Sequence, residues 1–155
     1  MNEQINLLKA EIYDSLEAIA AAYSKLNEIS QQEYDEDTCI LIAYHLHVIY
    51  GLFENIFTRI AANFGNHLDD STQWHTLLLK RMSMEIPNTR PAVISQNTYL
   101  VLDELRRFRH LFRNAYVLKF DPDRIRLIVR DAFRLETLYP DDVALFQRFL
   151  DLIAE

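Results

Sequence analysis

Residues 35–65 read DEDTCILIAYHLHVIYGLFENIFTRIAANFG. Apolar groups at Ile40, Tyr44, Leu46, Ile49, Phe53, Ile56, Ile60 and Phe64 recur at helical spacing, yet they wrap around much of the circumference instead of forming one stripe. That pattern predicts a long helix at the centre of the fold. The acidic run Asp35–Asp37 suits a helix N-terminus, whose exposed amides and dipole favour negative charge, and Gly65 suits its end.

The flanking segments read the same way. Ile5, Leu8, Ile12, Leu16, Ile19, Ala20, Tyr23 and Leu26 stand three and four apart, one face of a first helix over residues 3–28. Beyond the central helix, Asp70, Ser71 or Thr72 can cap a third helix through Trp74, Leu77, Leu78 and Met82. Pro87 and Pro91 then predict a loop from Ile86 to Ile94. Ser95 is the expected cap of a fourth helix through Leu102, Leu105, Phe108, Phe112 and Ala115 to about Val117. Asp121 and Pro122 open a fifth to about Leu138, and Pro140 with Asp141 is expected to open a sixth. Two glycines and four prolines leave little of the turn chemistry that many strands need. The expectation is an all-α antiparallel bundle of five to six helices, folded as a single domain over residues 1–155.

Composition narrows the function classes. Half the residues are hydrophobic and a quarter charged, which is ordinary for a globular domain. A net charge of -7 argues against a general nucleic-acid coat, because sequence-independent affinity comes mostly from phosphate neutralisation, so any nucleic-acid contact must be local. The single Cys39 excludes an internal disulfide and reads as a small buried hydrophobe. No signal-peptide pattern and no run of about 20 apolar residues stands out, so no membrane contact and a cytoplasmic location are expected.

The local basic region is residues 105–120, LRRFRHLFRNAYVLKF. Nine of the sixteen Lys and Arg residues lie between Asp103 and Arg134, whereas residues 1–58 hold two lysines against ten acids. On the fourth helix Val101, Leu105, Phe108, Phe112 and Ala115 define a core stripe. Arg109, Arg113 and Tyr116 fall along one flank, and Arg106, His110 and Arg113 form an adjoining row. Neighbouring arginines repel unless something answers them. Acids of the first two helices are one answer; a phosphate is the other, with Tyr116 and His110 adding hydrogen bonds and a group that titrates near neutral pH.

The octet Arg109-His110-Leu111-Phe112-Arg113-Asn114-Ala115-Tyr116 resembles the signature of the HepT group of HEPN ribonucleases: an Arg, a polar residue, three further residues, a His, one residue and a Tyr. It matches at Arg109, His110 and Tyr116 and departs at Asn114, where the family pattern has its histidine. The Trp74-His75 helix, the run Arg90-Pro91-Ala92-Val93-Ile94-Ser95 and then Phe108-Arg109-His110 extend the likeness over most of the chain from about Ile40 onward.

The resemblance implies a HEPN-type helical homodimer that cuts RNA without metal or cofactor, as the toxin of a toxin–antitoxin pair. The implied partner is an MNT-type nucleotidyltransferase antitoxin, silencing the toxin by AMPylation, here of Tyr116. In such a site Arg109 would stabilise charge on the phosphorane, Arg106 and Arg113 would bind phosphate, and an imidazole would take the proton of a ribose 2′-hydroxyl. Asn114 has no usable basicity near pH 7, although its amide can position a phosphate or a hydroxyl. Three readings stay open: a weakened or inactive relative, proton transfer taken over by His110, or a deliberately inactivated variant. A catalytically degenerate module that binds a nucleotidyltransferase or nucleic acid without cleaving is the alternative function. Arg109 and Asn114 are also about 140° apart around an ideal helix, which a two-fold dimer interface would resolve.

Other polar groups are weaker candidates. His45 and His47 point to nearly opposite sides of their helix and do not suit a shared metal. His47, Tyr50 and Glu54 share a face that either lines the motif helix or serves hydrogen-bonded packing. His75 reads as structural, and Asp103 and Glu104 read as ion-pair partners of the arginines that follow. No Gly-rich phosphate loop, zinc spacing or serine nucleophile motif occurs.

Overall fold

A computed structural model describes residues 2–65, 73–113 and 119–155. Among them are five helices: α1 (Asn2–Ser30), α2 (Glu36–Asn63), α3 (Trp74–Met82), α4 (Gln96–Arg113) and α5 (Pro122–Ala154). No strand occurs among the described residues, only an isolated bridge between Ile86 and Arg90. The expected all-α bundle is what forms.

Local chemistry sets the helix starts. Asp35 stands in an extended conformation and its carboxylate accepts from the Thr38 amide at 2.8 Å, which satisfies one of the amides a helix N-terminus leaves unpaired. That bond holds the Asp35 carboxyl below its ordinary pKa. Asp121 does the same for α5, accepting from the Asp123 amide at 3.0 Å, with Pro122 in the first turn where its missing N–H costs nothing. The expected caps of α3 at Asp70, Ser71 and Thr72 lie outside the described residues; α3 begins after Gln73, which makes no side-chain cap bond. Likewise the stretch 114–118, into which the fourth helix was expected to run, lies outside them.

Tertiary packing then decides what local signals leave open. α1 buries Ile5, Leu8, Ile12, Ile19, Tyr23, Leu26 and Ile29 as one stripe, lying chiefly against α2. α2 touches all four other helices, but its buried side chains, from Cys39 through Ile42, Leu46, Ile49, Phe53 and Phe57 to Ala61, form one broad face and leave Leu41 and Tyr44 exposed on the other, so the apolar positions that wrap around the helix in the sequence are not all buried. Its window of mean hydropathy 1.4 makes it the one described helix long and apolar enough to cross a membrane, which the sequence expectation had not anticipated; half of that window is buried against the other helices.

The expected break at Pro140 does not occur: α5 runs unbroken from Pro122 to Ala154 with Pro140 inside it. A proline there removes one backbone hydrogen bond and crowds the preceding turn. The stripe Ile125, Ile128, Ala132, Leu135, Tyr139, Val143, Phe146 and Leu150 keeps its helical phase straight through, so burial on both sides of the proline holds the helix together. Tyr139 lies at this point, its ring edge-on to Phe53 at 5.1 Å and stacked on Tyr23 at 6.3 Å. The Tyr23 hydroxyl donates to the Ala132 carbonyl at 2.7 Å, tying α1 to α5, and burial raises its pKa well above the ordinary value.

The α3–α4 connection is anchored by a buried cation. Arg90 is 2% exposed, and its guanidinium donates from Nη1 to the carbonyls of Met84 and Pro91 and from Nη2 to that of Arg81, at 3.0–3.1 Å. These bonds tie the carbonyls of Arg81 and Met84, at and just beyond the end of α3, to that of Pro91 in the loop that follows. Asn88 takes a positive φ of 60° in the tight turn between Ile86 and Arg90, a conformation asparagine tolerates better than most residues. Ser95 caps α4 as expected: its Oγ accepts from the Thr98 amide at 3.3 Å. Asp142 of α5 accepts from the Ser95 amide, the Ser95 hydroxyl and the Thr98 hydroxyl, locking the start of α4 to α5.

Candidate functional site

The basic octet begins on the last two turns of α4, where Leu105 and Phe108 are buried and Phe112 is half-buried against the core. Arg109 is on the flank of that stripe and turns toward α2. Its Nη1 lies 3.3 Å from Glu54 Oε1, and its guanidinium sits over the Tyr50 ring at 5.8 Å. Glu54 is buried, and its other oxygen, Oε2, lies 2.7 Å from His75 Nδ1 on α3. One carboxylate thus joins three helices. It is the only charged side chain between Asp37 and Arg59, a lone acid in an apolar helix. A buried carboxylate is tolerated only where cations and hydrogen bonds answer it, and Arg109 and His75 do so.

The row His47, Tyr50 and Glu54 therefore does line the motif helix. The His47 ring lies 5.5 Å from Phe112, and its Nδ1 is buried without a hydrogen-bond partner. Burial, and then the positive charges of Arg109 and Arg113, push the His47 pKa below the ordinary histidine value. Arg113 itself is exposed at the end of α4. Burial raises the Tyr50 phenol far above its ordinary pKa, so it stays neutral beneath the Arg109 guanidinium.

The remaining candidates divide. Arg106 is held by Asp103, with Nε and Nη2 each 2.9 Å from Oδ1, and Arg107 reaches Asp103 at 3.0 Å and Glu104 at 3.7 Å. Both acids are thus the ion-pair partners the sequence suggested, and Arg106 has part of its fork occupied. His110 is exposed on the next face of α4. Asn114 and Tyr116 lie outside the described residues. Among the described residues no three of His, Cys, Asp and Glu converge as a metal ion would require. Cys39 is buried, as expected.

Sequence reading treated His75 as structural and had no means of linking it to Glu54. The signal that could have found the link was the lone charge of Glu54 on an otherwise apolar stretch, since such a carboxylate demands partners from other elements.

What fold and site define together is an all-helical bundle that anchors an arginine of a basic helix end on a buried acid. A HepT-like protein family model matches residues 41–150, α2 to α5, and the chain belongs to that family. No curated protein and no solved structure matches it.

Proposed function

We propose that the chain is the toxin of a toxin–antitoxin pair, a metal-independent endoribonuclease acting in the cytoplasm. The observation that carries the reading is the placement of Arg109. Glu54 and Tyr50 fix its guanidinium, its Nε is buried without a partner, and the exposed Arg113 and His110 follow it on the helix. A guanidinium fixed before substrate arrives stabilises charge that develops on a phosphorane without reorganising. Exposed arginines beside it supply the local positive field that an acidic protein needs in order to meet RNA. Family membership supports the same reading.

Two partners follow from this reading. An MNT-type nucleotidyltransferase would add AMP to Tyr116, placing phosphate and bulk beside the arginines and blocking RNA. A second copy would complete the site across a two-fold axis. Dimerisation is supported by the outer face of α2, where Leu41 and Tyr44 are exposed and Gly51 has open space around it, an apolar strip next to His47.

Incubation of the purified protein with tRNA and mRNA tests the reading. Cleavage that disappears in Arg109→Ala is the expected result. Absence of cleavage by the natural sequence, with cleavage gained only in Asn114→His, would instead favour a module that binds a nucleotidyltransferase or nucleic acid without cutting. The residue that favours that second reading is Asn114 itself. Mass spectrometry after incubation with a partner nucleotidyltransferase and ATP tests the modification, which adds one AMP to Tyr116.

A further inference from the structure

Cleavage by 2′-hydroxyl attack needs a group to receive the hydroxyl proton, and Asn114 cannot. We propose that His75 is that general base, held in place by Glu54. The inference rests on the ribonuclease reading above and adds a residue to it from a different helix.

The argument is one of orientation. His75 Nδ1 lies 2.7 Å from Glu54 Oε2, and the second oxygen of that carboxylate is engaged by Arg109. A carboxylate accepts but does not donate, so the neutral imidazole must carry its proton on Nδ1, which leaves the Nε2 lone pair facing away from Glu54. His75 is partly open to solvent, with a side chain 29% exposed, whereas Glu54 is 9% exposed. Nε2 makes no hydrogen bond among the described residues and is not one of the buried unpartnered atoms. The Trp74 ring lies against the imidazole with centroids 3.8 Å apart, which limits its rotation. A histidine whose far nitrogen is fixed by a buried carboxylate and whose near nitrogen is open is the arrangement that proton transfer to and from a hydroxyl uses.

His47 and His110 are placed less well for this. His47 turns against Phe112 with its Nδ1 buried. His110 sits beside Arg109 in sequence, about 100° around α4 from it. His75 and Arg109, by contrast, engage the two oxygens of a single carboxylate, which places the imidazole on the same ion-paired unit as the guanidinium.

The step balances. The 2′-hydroxyl gives its proton to His75 Nε2 as its oxygen bonds to phosphorus. The bond from phosphorus to the 5′-oxygen breaks, and that oxygen takes a proton from solvent. The products are a 2′,3′-cyclic phosphate and a 5′-hydroxyl end, with no oxidant, reductant or metal consumed. His75 then returns its proton to water.

The test compares the full chain with His75→Ala, Glu54→Gln and His110→Ala, using labelled tRNA in single-turnover cleavage, filter binding for RNA affinity, and circular dichroism to confirm folding. His75→Ala should lower the cleavage rate about 100- to 1,000-fold with RNA affinity little changed. Added imidazole should restore part of the lost rate, a rescue that a structural role would not show. Glu54→Gln should fall less and should not respond to imidazole. If the natural sequence cleaves and folded His75→Ala cleaves equally fast, or is slow without imidazole rescue, the base assignment is overturned while the ribonuclease reading stands. Loss of activity in His110→Ala with His75→Ala unaffected moves the role to His110. If the natural sequence cleaves nothing, both readings fall together.

Discussion

Glu54 of α2 and Arg109 of α4, fifty-five positions apart, meet at 3.3 Å with the carboxylate almost wholly withdrawn from solvent. Such a pair contributes little net stability compared with well-packed apolar side chains, because both charges gave up hydration to form it. Breaking one side is another matter. Glu54→Ala leaves a half-buried guanidinium without its acid and should lower unfolding stability by about 3 kcal/mol, read by urea denaturation. Glu54→Gln, which keeps an acceptor, should lose roughly 1–2 kcal/mol. A loss under about 0.5 kcal/mol in Glu54→Ala would show that solvent answers Arg109 as well as the carboxylate does.

His47 gives the protein a pH dependence with a definite sign. Burial, Arg109 and Arg113 depress its pKa below the ordinary 6.5, so the unfolded chain binds a proton more readily than the folded one. Its contribution is complete above 6.5 and is lost as pH falls through the interval between 6.5 and the depressed folded value. His45, depressed mainly by burial, adds a slope of the same sign. Urea midpoints of the natural sequence should therefore fall from pH 7.5 to pH 5 by more than those of His47→Gln. Equal falls in the two proteins would mean that His47 is solvated.

Pro140 lies exposed inside an otherwise continuous helix. Replacing it with alanine restores a backbone hydrogen bond and relieves crowding worth about 3 kcal/mol in a helix interior, offset by roughly 0.5–1 kcal/mol of added freedom in the unfolded chain. Structural relaxation around the proline has already recovered part of that cost. Pro140→Ala should stabilise by about 1–2 kcal/mol and raise the melting temperature without changing helix content.

Asp142 receives three hydrogen bonds from the start of α4, including one from the fully buried Thr98. Asp142→Ala should cost about 2 kcal/mol, more than the roughly 1 kcal/mol expected of an ordinary helix cap such as Ser95→Ala. Amide exchange near Thr98 and Tyr99 should quicken in the first variant. Protection unchanged there would show that packing alone holds the helix start.

These four positions also mark where the sequence could be read and where it could not. Asp35, Ser95 and Asp121 announced their helices because a cap acts over two or three residues. Pro140 misled because its local cost was outweighed by Tyr139 and Phe146, whose burial depends on α1 and α2. In the candidate site the octet was visible as a basic stripe, and the row from His47 to Glu54 as a face that could meet it. The meeting of Glu54 with Arg109 and His75 was not, since it depends on how three helices are rotated against each other. Asp142 escaped notice for the same reason, its partners lying forty-seven and forty-four positions away.

Arg90 holds the end of α3 through neutral carbonyls in a buried setting, whereas Arg107, Arg113 and Arg126 act at the surface. Dissolved ions screen exposed charges within about 10 Å at 0.1 M and reach buried ones far less. Ionic strength therefore acts on the two kinds of arginine unequally. Added salt weakens attraction to a polyanion at the surface of α4 while leaving the anchor of the α3–α4 connection, and with it the helix that carries His75, as tight as before.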